Sequence, residues 1–600
     1  MPSSHRLVRN ARLLLQSGIQ HLIDDPVLLA VQVSRRLPFA ARMRAGKALR
    51  MLSARLPGGD GAAALGAFMA GDVAGAQQLI QRSAGSRSRL RGEVAVLLDR
   101  FDLVAQDASA MTCARAAWAR GDLSGAVEIL EAGGKGASRY ARRLRSELQL
   151  LSPGHRLPAG PRTAAANRQP APGESLRVLH LLTNSLPHTQ SGYSLRSHRI
   201  LAAMSEQAID SVALTRTGYP VMVGVPAAAE EDVVDGIRYV RTLPDRLPQT
   251  QQERLLAEVE RALQLVAEFD PHVIHATTNY YNALVAQALS TATGLPWVLE
   301  VRGLMEKTWA ASLPSSEGRR AAAASQKARL VAAREAELAR AADAVVAISD
   351  TMVTELGERG VETKDVTVVP NGVDGTLLTG HLTPPQARSA LGLGMDEDYI
   401  IGSVSAVVDY EGFDILLRAA ARIIEDRKTP APIRERLRVL IVGDGTAAPA
   451  LRALAAELGI ADRVFMPGRV ARHTARDWVQ ALDMVVVPRL DLEVARTVTP
   501  QKPVEALALG RPVIISDLPA LRETVTAADG TLCAATHTAG SVEELAGAIV
   551  DLGSDPARRG QLVEKGRELA AGRTWPALVQ RYATLYTDVV SQHQEEHARG

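Results

Sequence analysis

The stretch VTPQKPVEALALGRPVIISD, residues 498–517, reads as a loop, a short helix, a turn and a buried strand in immediate succession. Pro500 and Pro503 suit the loop and the first helical turn. Gly510 suits the helix stop, and Arg511-Pro512 cannot continue a helix. Val513, Ile514 and Ile515 form an apolar run of the kind found in strands covered on both faces. Lys502 and Glu505 stand three apart at the helix mouth, so they lie on neighbouring faces. Such a pair is ordinarily a solvated ion pair. A cation beside a helix N-terminus also suits a diphosphate, and a carboxylate one turn further in suits the two hydroxyls of a ribose.

Working outward, the chain from 176 to 575 alternates apolar strands with helices, the pattern of parallel sheets covered by helices. LRVLHLLTNSLP, from 176, is a strand, and QSGYSLRSHRILAAM is a loop bearing Gly192 that runs into a helix. This is not a G-x-G-x-x-G fingerprint, and Gly192 also fits a plain turn. PHVIHATT is a strand with His275 towards its end, and PWVLEVRG ends in Glu300, Arg302 and Gly303. Functional groups of parallel sheets gather at the carboxyl ends of strands, which makes His275 and Arg302 candidates. A histidine there is equally a core group with one bonded nitrogen, whereas a buried arginine needs an anionic partner. A second series begins with DYIIGSVSAVVDYEGFDILLRAA, which opens with Gly402, and continues through LRVLIVGDGT, RVFMPGRV and DMVVVPRL, which carries Arg489.

The opening stretch resembles the nucleotide-sugar site of retaining glycosyltransferases of family four, which have the GT-B fold. In that family a Glu ahead of an Ala/Gly-rich turn and a G-x-P-V strand holds the nucleotide ribose; Glu505, Gly510, Pro512 and Val513 match. ADAVVAIS, SDTMVTELGERG and VTVVPNGVD, with the turn signal Asn371-Gly372, resemble the end of the family's N-terminal half. The loop with Gly192, Tyr193 and Arg196 resembles its first loop. The resemblance covers about residues 176–590. It implies an α/β architecture of two facing doubly wound parallel-sheet domains. Residues 176–390 would form the acceptor side, 391–575 the nucleotide-sugar side, and 576–600 a closing helix and tail.

The same resemblance implies transfer of a sugar from a UDP- or GDP-sugar, with retention and without a metal or other cofactor. The acceptor would be a cell-surface polysaccharide, a glycolipid or a lipid-linked glycan. Lys502 and Arg489 would stabilise the departing diphosphate, and Glu505, Thr499, Gly402 and Gly192 would hold the donor; the strand-end candidates Arg302 and His275 complete the catalytic set. The sequence departs from the family in three places. Arg302-Gly303 stands for the usual His-Gly. Ser403 and Glu411 stand where the first loop of the second half usually carries an Arg and a Lys. Thr497 stands where many relatives have a second Glu. Arg489 and Lys502 are the expected replacements for the missing cations, because a site facing two phosphates needs positive charge. Thr499 and Lys502 would take over the contacts of the second Glu. These departures leave two alternatives: a sugar-nucleotide-binding scaffold without catalysis, or a GT-B epimerase.

The remaining features bound the molecule. Six hundred residues suggest three or four domains. The net charge of +3 gives no nucleic-acid signature over the whole chain. Residues 1–60 hold ten Lys/Arg and three Asp, a net of +7, and the remainder is slightly acidic. Such a basic end favours anionic lipid or simply solubility. Cys113 and Cys533 lie far apart without neighbouring ligands, which fits a reducing cytoplasm, with the basic end available to the inner membrane face. No apolar run reaches eighteen residues, and Asp24, Asp25 and Pro26 interrupt anything resembling a signal peptide. Residues 1–150 read as a small helical domain. LVRNARLLLQSGIQHLI is either a membrane-surface helix or a helix packed on its neighbours. GDVAGAQQLI at 71–80 is echoed by GDLSGAVEIL at 121–130, as in tetratricopeptide-like hairpins. Residues 151–175, rich in Pro, Gly and Ala, read as a linker.

Overall fold

In a computed structural model of the chain, residues 4–599 are described apart from 35–38, 54–58, 84–87, 106, 161–169, 172 and 314. Between Ser4 and Leu150 the described elements are all helices. The echoed segments form two helical hairpins, Asp60–Met69 with Val73–Arg82 and Ala110–Ala119 with Leu123–Ala132. Each turn has a glycine in the left-handed region, Gly71 at φ 86° and Gly121 at φ 83°, where other residues are strained. Each second helix is capped the same way, with Asp72 accepting from the Gly75 amide and Asp122 from the Gly125 amide.

The first sheet contains β1 (Leu176–Leu182), β2 (Ile209–Thr215), β3 (Glu231–Val234), β4 (Ile237–Arg241), β5 (Val273–Thr277), β6 (Trp297–Val301), β7 (Ala344–Ala347) and β8 (Val366–Val368). Their order is β3-β4-β2-β1-β5-β6-β7-β8, parallel except for the antiparallel β3–β4 pair. The second sheet contains β9 (Tyr399–Val404), β10 (Leu437–Val442), β11 (Val464–Gly468), β12 (Met484–Val487), β13 (Val513–Ser516) and β14 (Ala535–His537). It is parallel throughout in the order β11-β10-β9-β12-β13-β14. In both sheets the order reverses beside the first strand of the series, so a crevice opens at the strands' carboxyl ends.

The last helix, Trp575–Arg599, returns to the first lobe, where Trp575, Tyr582 and Tyr586 are buried against Val178, Ile200 and Val298. Of the expected linker, 161–169 and 172 lie outside the described residues. Its first part is bound to the first lobe: Leu157 joins that core, and the His155 carbonyl accepts from Arg334.

The helical region rests mainly on the first lobe. Glu147 accepts from the hydroxyls of Tyr280 and Tyr281, and Gly121 lies against Trp309 and Ser325 with its carbonyl bonded to the Lys327 amide. Its Gly71 turn also meets Pro449 of the second lobe; a Cβ there would sit 3.0 Å from the proline ring. No helix among the described residues is long and apolar enough to cross a membrane.

Candidate functional site

The helix predicted in the opening stretch spans Lys502–Ala508, and Gly510 at φ 66° ends it before β13. Three segments at strand ends converge at its mouth. The loop after β9 brings Ser405 and Glu411, the loop after β12 brings Arg489, and the helix brings Lys502. Gly412 permits the approach of the first two loops: a Cβ there would lie 1.9 Å from the Pro488 carbonyl oxygen. Lys502 Nζ donates to Ser405 Oγ at 2.6 Å and to Glu411 Oε2 at 2.5 Å. Arg489 donates from Nη2 to Glu411 Oε1 and from Nη1 to the Val498 carbonyl, both at 3.1 Å. The residue that replaces the family's lysine therefore gathers the two cations expected to compensate for its loss. The cluster of one carboxylate and two cations keeps a net positive charge.

Burial alone would push the Glu411 carboxyl up, but Arg489 and Lys502 outweigh it and hold the group at about 2. Burial pulls the Lys502 ammonium down, with Glu411 opposing. The sign for stability follows. Glu411 is lowered on folding, so its contribution is complete above the ordinary carboxylate range and fades as the pH falls towards 2. The thermal midpoint of Glu411→Gln should fall less between pH 5 and pH 3 than that of the unmodified protein. Parallel declines would exclude Glu411 as an acid-sensitive tether.

Glu505 faces the opposite lobe. Its Oε1 accepts from Arg199 Nη1 at 2.8 Å, an ion pair across the crevice. Sequence reasoning singled out Arg196 on that helix; Arg199, one turn further on, is the residue that crosses. Thr499 is buried; its carbonyl accepts from Asn371 Nδ2 at 3.0 Å, and its hydroxyl has no partner among the described residues. Lys307 of the first lobe also crosses, lying 3.4 Å from Glu493 and 3.3 Å from Thr497 Oγ1.

On the first lobe a cavity of about 410 Å³ opens at the carboxyl ends of β1, β5 and β6, lined by Asn184, Tyr193, Ser197, Thr278, Arg302 and Trp309 among others. A larger hollow of about 770 Å³, around Glu523, Arg573 and Arg581, shares no lining residue with it. Tyr193 ties the smaller cavity to the cation cluster. It is half exposed, and its hydroxyl lies over Gly303, where a Cβ would be 2.7 Å from it and 4.0 Å from Val498, the residue whose carbonyl Arg489 holds.

Arg302 has the anionic partner its burial requires. It donates to Glu300 Oε2 and to Ser197 Oγ, both at 2.6 Å. Glu300, fully buried on β6, also accepts from Arg196 Nη2 at 2.9 Å and from the Tyr582 hydroxyl at 2.8 Å. Burial would raise the Glu300 carboxyl, but Arg302 and Arg196 outweigh it and hold it well below the usual range.

His275 differs from its expected place at the site. It is 1% exposed and does not line the cavity. One ring nitrogen is 3.1 Å from Glu300 Oε2 and the other 2.8 Å from the Tyr586 hydroxyl, so it joins β5 to the closing helix. Gly402 also sits elsewhere than expected. It lies within β9, where a Cβ would be 1.8 Å from the Leu440 carbonyl oxygen, so its absence of a side chain serves strand packing. Gly192 opens the helix after β1, next to the capping residue Ser191, and faces open space. No positive φ requires a glycine there.

Comparison with known proteins agrees with this arrangement. A family model of glycosyl transferase 4-like domains matches residues 191–372 and one of glycosyl transferases group 1 matches 398–555, together more than half the chain. A D-inositol 3-phosphate glycosyltransferase of Thermomonospora curvata is 31% identical over 42% of this chain and 58% of its own length. D-inositol 3-phosphate glycosyltransferase 1 of Catenulispora acidiphila is 29% identical over 62% of this chain and 87% of its own. The chain thus spans under two thirds of the first relative and most of the second. Among solved structures, sucrose-phosphate synthase of Thermosynechococcus elongatus superposes with a TM-score of 0.55 at 19% identity, covering 70% of this chain and all of that one. Anabaena HepE, solved in complex with UDP, gives 0.51 at 18% identity, covering 69% and all. With two parallel-sheet lobes facing one crevice behind a helical region, and both lobes matched in order, the chain belongs to the family-four-like glycosyltransferases of GT-B fold.

Proposed function

We propose that the protein transfers a sugar from a nucleoside diphosphate sugar to an acceptor hydroxyl, retaining the anomeric configuration. One observation carries this reading: Lys502 and Arg489 converge at the strand ends of one lobe, and Val498, whose carbonyl Arg489 holds, lies against Gly303 of a cavity of about 410 Å³ in the other. The donor diphosphate lies at the cations, its ribose at Glu505, and the acceptor in the cavity beneath Tyr193 and Arg302. The bond from the anomeric carbon to the diphosphate breaks, and the acceptor oxygen bonds to that carbon on the same face. The acceptor proton passes to the departing phosphate oxygen. Charge developing on the diphosphate is met by protein cations already in place.

HepE, solved with UDP, makes a uridine nucleotide the first donor to try. The relatives named for D-inositol 3-phosphate, and the arginine in the cavity, favour a polyhydroxylated acceptor, free or carried on lipid. Both cysteines are free thiols, which suits work in the cytoplasm at the inner membrane face. The test is a panel of nucleotide sugars with acceptor mixtures, scored by release of nucleoside diphosphate. Release with one donor supports transfer; acceptor-independent change of the sugar would replace it with epimerisation.

A second reading is favoured by Glu411, which pairs with both cations of the cluster. It is a nucleotide-sugar-binding protein without turnover, and it predicts donor binding with no release in the same panel.

Glu505→Ala should raise the donor KM about 10- to 100-fold, the value of hydrogen bonds to a charged group. Arg199→Ala should not, because it removes only the carboxylate's partner across the crevice. Unchanged donor kinetics in Glu505→Ala would remove the ribose from that position.

A further inference from the structure

The first helix, Ser4–Asp24, is inside out. The face it turns to the protein is polar. Asn10 is fully buried and donates to the carbonyls of Pro226 and Ala228, both at 2.9 Å. Arg9 pairs with Glu230 at 2.5 Å, Gln16 accepts from the Leu247 amide at 2.8 Å, and Gln20 accepts from Arg254 at 2.6 Å. Leu13 alone supplies an apolar anchor, packed with Val221, Ala228 and Leu247.

The outward face is the apolar one. Val8, Leu15, Ile19 and Leu22 are 60%, 64%, 43% and 57% exposed. With Arg12 they recur at i, i+4, i+7, i+11 and i+14, a single stripe along the helix. Exposure continues onto the next helix, Pro26–Ser34, at Leu28 and Val33. Apolar surface of this extent, left outward while polar groups are buried, calls for an apolar medium.

We propose that this stripe lies in the interface of an anionic lipid bilayer and docks the protein on the membrane. Charge selects the occupant. The first sixty residues carry a net +7, and Arg12 lies within the stripe itself. The two acidic groups next to the stripe are spent inwards or locally: Asp24 pairs with Arg143, and Asp25 accepts from the Leu28 amide at 2.8 Å. An apolar stripe with an arginine in it, on a net basic segment, matches headgroups above acyl chains. A second copy fits poorly, because a two-fold contact would bring two cationic faces together.

Placement adds a consequence, which rests on the proposed transferase reading. The helix is seated on the segments that follow β2 and β4, at the same end of the first sheet as the cavity at β1, β5 and β6. Docking through it brings the acceptor cavity's end of the lobe towards the bilayer, which suits an acceptor carried on lipid.

The test is flotation of the full-length protein with vesicles of phosphatidylcholine, with and without phosphatidylglycerol, beside Leu15→Glu/Leu22→Glu and the milder Leu15→Ser/Leu22→Ser. The unmodified protein should float with the anionic vesicles and lose binding between about 0.1 M and 1 M salt. The glutamate pair should lower the bound fraction by roughly tenfold or more, the serine pair by less, with thermal midpoints unchanged because both sites are exposed. Absence of flotation with anionic vesicles overturns the proposal, as does binding by both variants equal to that of the unmodified protein. It also falls if the protein is a dimer without lipid and the glutamate variant a monomer, since the stripe would then belong to a second copy. Nucleotide-sugar turnover measured without vesicles is separate, so failure of docking and failure of the transferase reading are distinguishable.

Discussion

Glu300→Ala should destabilise the first lobe by about 3–5 kcal/mol, the cost of removing one partner from a buried ionic group. The thermal midpoint should drop by about 6–20 °C for a lobe of this size. The carboxylate has no exposed surface and is shared by Arg196, Arg302, His275 and Tyr582. Deleting it leaves two guanidinium groups facing each other in the interior, without water to screen them. The loss reaches beyond β6, because Tyr582 belongs to the closing helix and Arg196 also holds the carbonyls of Val369 and Pro370 near the crossing between lobes. Glu300→Gln keeps the shape and one acceptor, so it should lose less. His275→Phe, which sacrifices only the bonds to Glu300 and Tyr586, should lose less again. Scanning calorimetry decides the matter. A Glu300→Ala protein of unchanged midpoint would show that the cluster does not hold the lobe together.

That cluster marks where sequence reading stopped. The strand-end rule singled out His275 and Arg302; Arg302 follows the end of β6 and lines the cavity, whereas His275 lies in the middle of β5, and the rule does not say which neighbours close around either. His275 finds two partners in the interior, and one of them, Tyr586, lies more than three hundred residues away in sequence. Glu300 was visible as a charge inside the apolar run WVLEV, and a carboxylate in a strand covered on both faces demands cations; that was the available signal. The second half was more legible because its determinants are local. The proline-marked entry, the left-handed Gly510 and the apolar β13 each follow from neighbouring residues. Glu411 read only as a lost lysine. Its role depends on two loops meeting at Gly412, which spacing along the chain does not reveal. Periodicity likewise identified the first helix as amphipathic, but it could not show that the polar side faces in.

Lys502→Ala should lower kcat by about 10²- to 10³-fold, the usual loss for a donor aimed at developing charge, with a smaller change in donor KM. The ammonium is held at the mouth of its helix by Ser405 and Glu411 rather than left to wander in solvent. A group so placed interacts more strongly as the bond to the sugar breaks and the diphosphate gains charge, which is the condition for an effect on kcat. The substitution has a second consequence that must be separated from the first. It leaves Glu411 with Arg489 as its remaining cation in the cluster, so a less compensated carboxylate faces the phosphates. The double variant Glu411→Gln/Lys502→Ala removes that repulsion. If the carboxylate accounts for part of the loss, the double variant should recover roughly tenfold over Lys502→Ala, a coupling expected of groups in direct contact. If the ammonium acts only on the transition state, the two single effects should add. Saturation kinetics with the donor found by the panel, together with nucleoside diphosphate affinity by calorimetry, separate these cases. A rise in KM at constant kcat would instead make Lys502 a uniform binding contact and move the charge stabilisation to Arg489 or the backbone amides beside it.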